Sequence, residues 1–281
     1  MGMAHKSLLL AIILLFLSLR LAAQEYNLQT ITPSSIMQPG QVEIKLFNNL
    51  YTQKAYFDEN SSRQEIGFRE SYFTSSNYFL VGVNPWLNVG AEVWVNSVKR
   101  NTDPVQKRTE LAYIAPKLKI APFNSLERFS ITSTFLIPIA GNLQGGGDPD
   151  EPFLAYDNFI WINQLFYDKQ IGLKWQAFFE LSGWMYFKNG NVEESDNFFR
   201  MPAKAIISFF PNYRFTLYGM AELMTQLAGD GVDAYYVQTG PGLKYQLFQG
   251  KAELEGLYTR FLAGKSQGAG STFNLGLRII L

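Results

Sequence analysis

The sequence contains no cysteine, and its single histidine, His5, lies at the very start of the chain. Without cysteine the protein can form neither a disulfide nor a thiolate metal site. If the first residues are removed during export, the mature chain lacks histidine as well. Ser-His-Asp triads, Cys/His nucleophile pairs and imidazole metal sites are then excluded. We therefore predict no enzyme activity and no cofactor, although carboxylates alone could still act as acid and base.

Charge is also scarce. Charged residues make up 17% of the chain, and Lys+Arg and Asp+Glu each total 24, so the formal net charge is zero. A balanced chain gives no whole-molecule attraction to nucleic acid, and we predict no such partner. Aromatic residues, in contrast, reach 15%. The chain therefore presents more apolar side chain to its surroundings than most soluble domains do.

Only one long apolar run is present, "SLLLAIILLFLSL" at residues 7–19, directly after Lys6. It is shorter than the ~18 residues that a transmembrane helix needs. A basic residue, a short apolar run and small residues before a cut are typical of a secretory signal peptide. We predict a signal peptide over residues 1–23, cleaved between Ala23 and Gln24.

Beyond the signal, apolar residues recur at every second position. In "IGLKWQAFFELSGWMYF", from Ile171 to Phe187, one row is apolar or small and the other carries Lys174, Gln176 and Glu180. This period indicates β-strands with two unlike faces. We predict twelve strands, near 41–51, 65–83, 87–98, 110–121, 128–138, 154–167, 171–187, 201–210, 213–225, 233–246, 251–261 and 271–281. Within the second, the apolar phase shifts near "TSSN", which predicts a β-bulge.

The connections between these strands alternate in kind. "NPW", "DKQ" and "PNY" are short, whereas "TQKAYFDENSSR", "IAGNLQGGGDPDEP" and "KNGNVEESDNFF" are long and polar. In an antiparallel meander all short turns then lie at one end and all long loops at the other. That asymmetry is typical of a membrane β-barrel with short periplasmic turns and long extracellular loops. The sequence predicts an all-β fold: a single transmembrane antiparallel meander barrel of about 12 strands over residues 41–281. A soluble β-sandwich or lipocalin-like barrel is the alternative.

The signal, the alternating strands, the loop asymmetry and the terminal "STFNLGLRIIL" together resemble a Gram-negative outer-membrane β-barrel. The segments "NYFLVGVNPWLNVGAEVWV" and "KLKIAPF" are similar to a group of outer-membrane transporters related to the channel family associated with phenol-degradation pathways. This resemblance implies a transporter in the outer membrane that is inserted by the barrel-insertion machinery. The terminal strand departs from the usual pattern, because it ends in Leu281 rather than in Phe or Trp.

In such a barrel the polar row faces the lumen. Besides Glu43, we predict the following lumen-lining residues: Lys45, Arg69, Glu92, Lys117, Lys119, Lys174, Glu180, Lys204, Arg214, Glu222, Lys244, Glu253, Glu255 and Arg278. Two interpretations remain open. The basic majority could favour anionic solutes along a polar path, or the charges could pair across a narrow interior and close it, because twelve strands enclose an intermediate width.

Residues outside the predicted strands carry weaker indications. Residues 24–40 form a periplasmic N-terminal segment, either a disordered tail or an inward plug. Lys99, Arg100, Lys107 and Arg108 lie in one extracellular loop and could contact lipopolysaccharide phosphates. The acidic residues of "GGGDPDEP" favour a flexible loop over a calcium site.

The leading prediction is therefore a channel or transporter for small, possibly anionic, solutes. The alternative is a structural or assembly partner of an outer-membrane secretion or surface-protein complex, without transport activity. The oligomeric state is not indicated by the sequence.

Overall fold

A computed structural model describes residues 33–123, 126, 128–145, 151–190, 196–228 and 231–281. It is built almost entirely of β-strands. The strands are β1 (Val42–Phe57), β2 (Arg63–Asn84), β3 (Leu87–Arg100), β4 (Gln106–Ile120), β5 (Phe129–Pro138), β6 (Phe159–Ile171), β7 (Trp175–Phe187), β8 (Phe198–Phe209), β9 (Phe215–Ala228), β10 (Gly231–Leu247), β11 (Ala252–Lys265), the two-residue β12 (Gln267–Gly268) and β13 (Ser271–Ile280).

The sheet closes on itself. Each strand from β1 to β10 pairs antiparallel with the next, and β13 pairs with both β11 and β1. At the seam, Val42 and Leu281 exchange backbone hydrogen bonds of 2.9 and 3.0 Å. β12 and β13 pair with β1 one after the other, so they fill one position. Within the described ranges the result is a closed barrel of twelve strand positions, as predicted.

The apolar rows face outward. On β7 the outward side chains include Trp175, Phe179, Leu181 and Phe187, each 41–49% exposed, whereas the alternating Gln176, which faces inward, is 4% exposed. A soluble sandwich would bury these apolar rows in a shared core. Here they form an outer belt that only hydrocarbon can cover. In that setting every backbone N–H and C=O must be paired within the protein, which closure achieves.

The two ends of the barrel differ less in loop length than the sequence suggests. At the periplasmic end the connections are short, with two residues between β2 and β3 and three between β6 and β7. At the extracellular end the strands continue past the predicted boundaries, so that β2 alone has 22 residues. Several predicted loops are therefore hairpin extensions of the wall, and the longest connection, residues 139–158, joins β5 to β6.

Two details of the predicted strands are wrong. The sixth strand begins at Phe159 rather than near 154, because residues 154 and 155 turn into the barrel and are buried there. No bulge occurs near "TSSN", where the pairing of β2 with β3 runs unbroken. The irregularity lies instead on β2 itself, where residues 66–69 stand opposite the single residue 54 of β1, between the pairs Gln53–Glu70 and Ala55–Glu65.

Within the described residues, no helix is both long and apolar enough to cross a bilayer.

Candidate functional site

The interior of the barrel is lined by the polar rows. Eleven of the fourteen predicted lumen-lining residues lie on inward rows of the strands: Lys45, Glu92, Lys117, Lys119, Glu180, Lys204, Glu222, Lys244, Glu253, Glu255 and Arg278. The inward row of each strand is set by the same two-residue period that places the apolar row outside.

Three predicted lumen residues lie elsewhere. Lys174 and Arg214 are exposed in periplasmic connections, since β7 begins at Trp175 and β9 at Phe215. Arg69 is exposed on the outward row of β2, because its neighbour Glu70 points inward and pairs with Arg100. The first two predictions extend the strand period into turns. The third fails because residues 66–69 of β2 form a bulge, with a positive φ at Gly67, that resets the phase of the upper hairpin.

The inward charges are mostly paired. At the seam, the Nε of Arg278 donates to Glu43 at 2.6 Å, and both side chains are at least 94% buried. Beside this pair, Lys244 lies 3.4 Å from Glu253 and 3.7 Å from Glu255. An isolated charge in such surroundings would be costly, and an opposite charge at hydrogen-bond distance offsets that cost. The pairs therefore neutralise much of the lumen on the side of β1, β10, β11 and β13.

A second group of charges lies across the lumen. Lys204 donates to Glu180 at 3.0 Å and lies 3.4 Å from Glu222, so three adjacent strands share one cation and two carboxylates. On the opposite wall Lys117 donates to Glu92 at 2.7 Å. Of the two interpretations that the sequence left open, the pairing of charges inside the barrel therefore holds for these residues. A lumen lined by an unpaired excess of basic side chains does not describe them.

The extracellular half of the lumen contains an apolar cluster. Part of the β5–β6 connection, residues 151–158, folds into the barrel, and the Tyr156 carbonyl accepts a hydrogen bond from the Tyr113 hydroxyl. Trp94 of β3 and Trp184 of β7 meet with ring centroids 6.5 Å apart. The cluster also includes the buried side chains of Val98, Leu136, Leu143, Leu154, Ile160, Ile162 and Tyr186. It fills the lumen beside β3 to β7.

The N-terminal segment occupies the periplasmic mouth. Residues 33–40 pack against the inner wall, where Met37 is 4% exposed and the Lys119 Nζ donates to the Ser35 carbonyl. In the amide orientation that satisfies both partners, Asn88 pairs with the backbone N–H and C=O of Met37 at 2.9 and 3.1 Å. A Cβ on Gly82 would lie 2.1 Å from the Gln38 carbonyl oxygen. The described end of this segment is therefore docked rather than a loose tail. Residues 24–32, like the signal peptide predicted before them, lie outside the described residues.

Between these packed regions the lumen contains a cavity of about 450 Å³. Its walls come from β1 and from β7 to β13, and Gln267 and Gly268 line it at the extracellular rim. Aromatic and methionine side chains form most of the apolar lining: Phe47, Tyr51, Trp184, Met220, Met224, Tyr236 and Phe261. Lys204 and its partners Glu180 and Glu222, which we call the Lys204 group, line the deeper part of the cavity.

The prediction from the sequence did not include two polar groups of this cavity, those of Arg200 and Trp184. Arg200 donates to Gln226 at 2.8 Å and to the hydroxyls of Tyr156 and Tyr186 at 2.9 and 3.3 Å. No described carboxylate lies within ion-pair distance of it. Trp184 is directly opposite Arg200 in the sheet, and its buried Nε1 has no acceptor among the described residues. The signal for Arg200 in the sequence is the basic residue in "NFFRMPAKA", but the predicted strand begins at 201, whereas β8 begins at Phe198.

The four basic residues predicted to contact lipopolysaccharide divide into two pairs. Arg100 faces inward and pairs with Glu70 at 2.9 Å. Arg108 also turns inward and donates to the Asn142 carbonyl at 2.7 Å, which holds the start of the β5–β6 connection. Lys99 and Lys107 are exposed on the outward rows. Strand alternation therefore removes half of the predicted set from the outer surface.

Among the described residues, no group of three or more acidic or histidine side chains is arranged to hold a metal ion. Asp148 and Asp150 of the acidic loop lie outside the described residues.

No protein-family model matches the chain, and no curated protein does. Among solved structures, an outer-membrane channel from Pseudomonas putida F1 is similar with a TM-score of 0.64 and 12% identity, covering 89% of this chain and 99% of the channel. The beta domain of a Bordetella autotransporter is similar with a TM-score of 0.55 and 10% identity, covering 85% and 99%. At these identities the likeness concerns the fold.

The closed antiparallel wall, the apolar outer belt and these likenesses together define the class. The chain is an outer-membrane β-barrel, and the predicted location in the outer membrane is confirmed.

Proposed function

We propose that this barrel is a narrow, selective channel for small solutes that combine an anionic group with an apolar body. The observation that carries the proposal is the luminal cavity in which Arg200 and Trp184 lie opposite each other. The likeness to outer-membrane channels supports a channel role through the fold alone.

The cavity has the chemistry for such a solute. Arginine carries five N–H donors, of which three are used in the hydrogen bonds described above. The Trp184 N–H adds a buried donor that an anion or a water would satisfy. The aromatic rings of the lining, among them the tilted pairs Tyr51–Phe261 and Tyr236–Phe261, would contact an apolar body together with two methionines. Binding sites for small molecules are typically apolar with a few convergent polar groups.

The rest of the lumen argues for selectivity over wide permeability. The apolar cluster and the docked residues 33–40 occupy much of the interior, and the other described charges of the cavity are paired. A solute would therefore cross beside one wall, past Arg200 and the Lys204 group, rather than through an open water-filled pore.

The test is flux through the purified barrel in planar bilayers and proteoliposomes. Benzoate, benzylamine and acetate serve as probes: an aromatic anion, a matched aromatic cation and an anion without an apolar body. We expect benzoate to cross fastest. Hydrogen bonds to charged groups contribute about 1.5–3 kcal/mol, so Arg200→Gln should reduce the preference for benzoate by about tenfold or more. Trp184→Phe, which keeps a ring and removes the N–H, should cause a smaller reduction.

Arg63→Gln provides a matched control, since Arg63 is exposed at the extracellular end of β2. It should behave like the parent protein. A folded, ion-tight barrel would refute the channel proposal. A conducting barrel in which Arg200→Gln leaves the benzoate preference unchanged would instead refute the solute class.

A further inference from the structure

The outer surface carries a cluster of cations where β2, β3 and β4 pass the extracellular rim. Lys99 of β3 and Lys107 of β4 are direct cross-strand partners, and both are exposed. Arg69 of β2 is exposed on the same outward face, and its carbonyl accepts from the Asn101 N–H at 2.9 Å. Neighbouring strands lie ~4.8 Å apart, so the three side chains span about 10 Å.

This arrangement is unfavourable without a ligand. Like charges directly opposite each other on two strands repel. None of the three cations forms an ion pair with a carboxylate among the described residues, including Asp103 in the connecting loop. The nearest acid on β4, Glu110, turns inward toward Arg108 at 3.6 Å. An anion placed between the lysines would convert this repulsion into attraction.

The surroundings indicate what kind of anion it is. Directly below the lysine pair, toward the membrane, Thr109 donates to Ser97 at 2.8 Å, so the next outward pair consists of hydroxyls. The pair below that is Val95 with Leu111, and Leu111 is 46% exposed. Charge, hydroxyl and apolar side chains thus follow one another down the wall. This order matches a phosphorylated headgroup above acyl chains.

We propose that Arg69, Lys99 and Lys107 bind a phosphate of an outer-leaflet lipid, such as lipopolysaccharide, at the edge of the apolar belt. The site is independent of the lumen and of the proposed transport. It also replaces the sequence-based set, because Arg100 and Arg108 have partners inside the barrel and Arg69 joins from β2.

The test measures lipopolysaccharide binding to the full barrel purified in detergent. The variant Lys99→Gln/Lys107→Gln is compared with Lys54→Gln/Arg260→Gln, which removes two exposed cations from β1 and β11. Each basic residue near an anionic lipid surface contributes about a fivefold gain in affinity. We expect binding to weaken by roughly 25-fold in the first variant and far less in the second. Enzymatically dephosphorylated lipopolysaccharide should bind the parent protein weakly and should no longer distinguish the variants.

Thermal unfolding adds a readout that a purely structural role would not give. Without lipid, the double lysine variant should be as stable as the parent protein or more so, because the repulsion is relieved. With lipopolysaccharide, the parent protein should become the more stable of the two. Equal binding by both variants would overturn the proposal. So would inorganic phosphate that binds as tightly as the lipid, since the site would then select a free ion.

Discussion

Removal of Arg278 should weaken the seam that closes the barrel. Arg278 lies on β13 and Glu43 on β1, with the Nε and Oε1 atoms 2.6 Å apart and side-chain exposures of 6% and 1%. In Arg278→Met the methionine fills similar space, and the hydrogen-bond donor that remains to Glu43 among the described residues is the Tyr78 hydroxyl at 3.2 Å. Breaking a buried ion pair by removing one partner costs about 3–5 kcal/mol. Because Lys45 and Lys119 also attract Glu43, we expect the lower end, about 3 kcal/mol.

The assay is reversible urea unfolding of the barrel in lipid vesicles, followed by tryptophan fluorescence. With a denaturant slope near ~3 kcal/mol/M, a loss of about 3 kcal/mol lowers the unfolding midpoint by about 1 M. The exposed pair Arg63–Glu65, with side chains 52% and 68% exposed, provides the contrast. Exposed pairs contribute about 0–1 kcal/mol, so Arg63→Gln should move the midpoint by no more than about 0.3 M.

A double substitution separates two contributions to the loss of stability: the cost of leaving Glu43 as an unpaired charge and the cost of losing the ion pair itself. Replacing a buried pair with apolar residues of similar volume is often nearly neutral. Glu43→Leu/Arg278→Leu should therefore be more stable than Arg278→Met, although it lacks both charges. If Arg278→Met unfolds at the same urea concentration as Arg63→Gln, the seam pair does not stabilise closure. If the double variant is less stable than the single one, the cost does not come from an uncompensated carboxylate.

Two further substitutions test the orientation of the wall and the docking of the N-terminal segment. Leu181→Lys places a cation at the middle of the outward row of β7 and should destabilise the barrel in lipid by ~2–4 kcal/mol, measured by the same urea titration. Leu173→Lys, at an 89% exposed position in the adjacent turn, should have little effect. An equal effect at both positions would contradict the outward row. Gly82→Val places a side chain where the Gln38 carbonyl lies. We therefore expect residues 33–38 to leave the periplasmic mouth and become accessible to protease. Gly190→Val in the extracellular connection should leave the protection of residues 33–38 against protease unchanged.

The sequence was sufficient to predict the wall because membrane insertion constrains it twice. Hydrocarbon excludes charge from one row, and the other row must be polar or small, so a two-residue period survives along nearly every strand. The outward row of β7 is an example, with Trp175, Phe179 and Leu181 all exposed as predicted. Strand ends were less predictable, because above the bilayer both faces of a hairpin meet water and the period weakens. Arg69 was misplaced in such a hairpin, whereas Lys174 and Arg214 were misplaced because the period was continued into the periplasmic turns before β7 and β9.

The interior could not be predicted in the same way. A period shows that a side chain points inward, but not what it meets there. Residues 154 and 155 were predicted to belong to the sixth strand because they are apolar, like the wall residues that follow them. In the structure they fold into the lumen, where side chains from β3 to β7 bury them. Such contacts join segments far apart in sequence, and no local pattern encodes them.

Pairing inside the lumen also changes the argument about solute charge. A count of inward basic residues suggests anion preference, yet Lys117, Lys204 and Lys244 each have a carboxylate within 3.4 Å. A paired cation presents little net field to a passing solute, because its partner cancels the field at distances longer than their separation. Selectivity should therefore come from a cavity cation that has no such partner among the described residues. Lys119 also lacks a carboxylate partner there, but its Nζ donates to the Ser35 carbonyl and it does not line the cavity. Arg200 fits this requirement, lies in the cavity, and is the residue on which anion preference should depend.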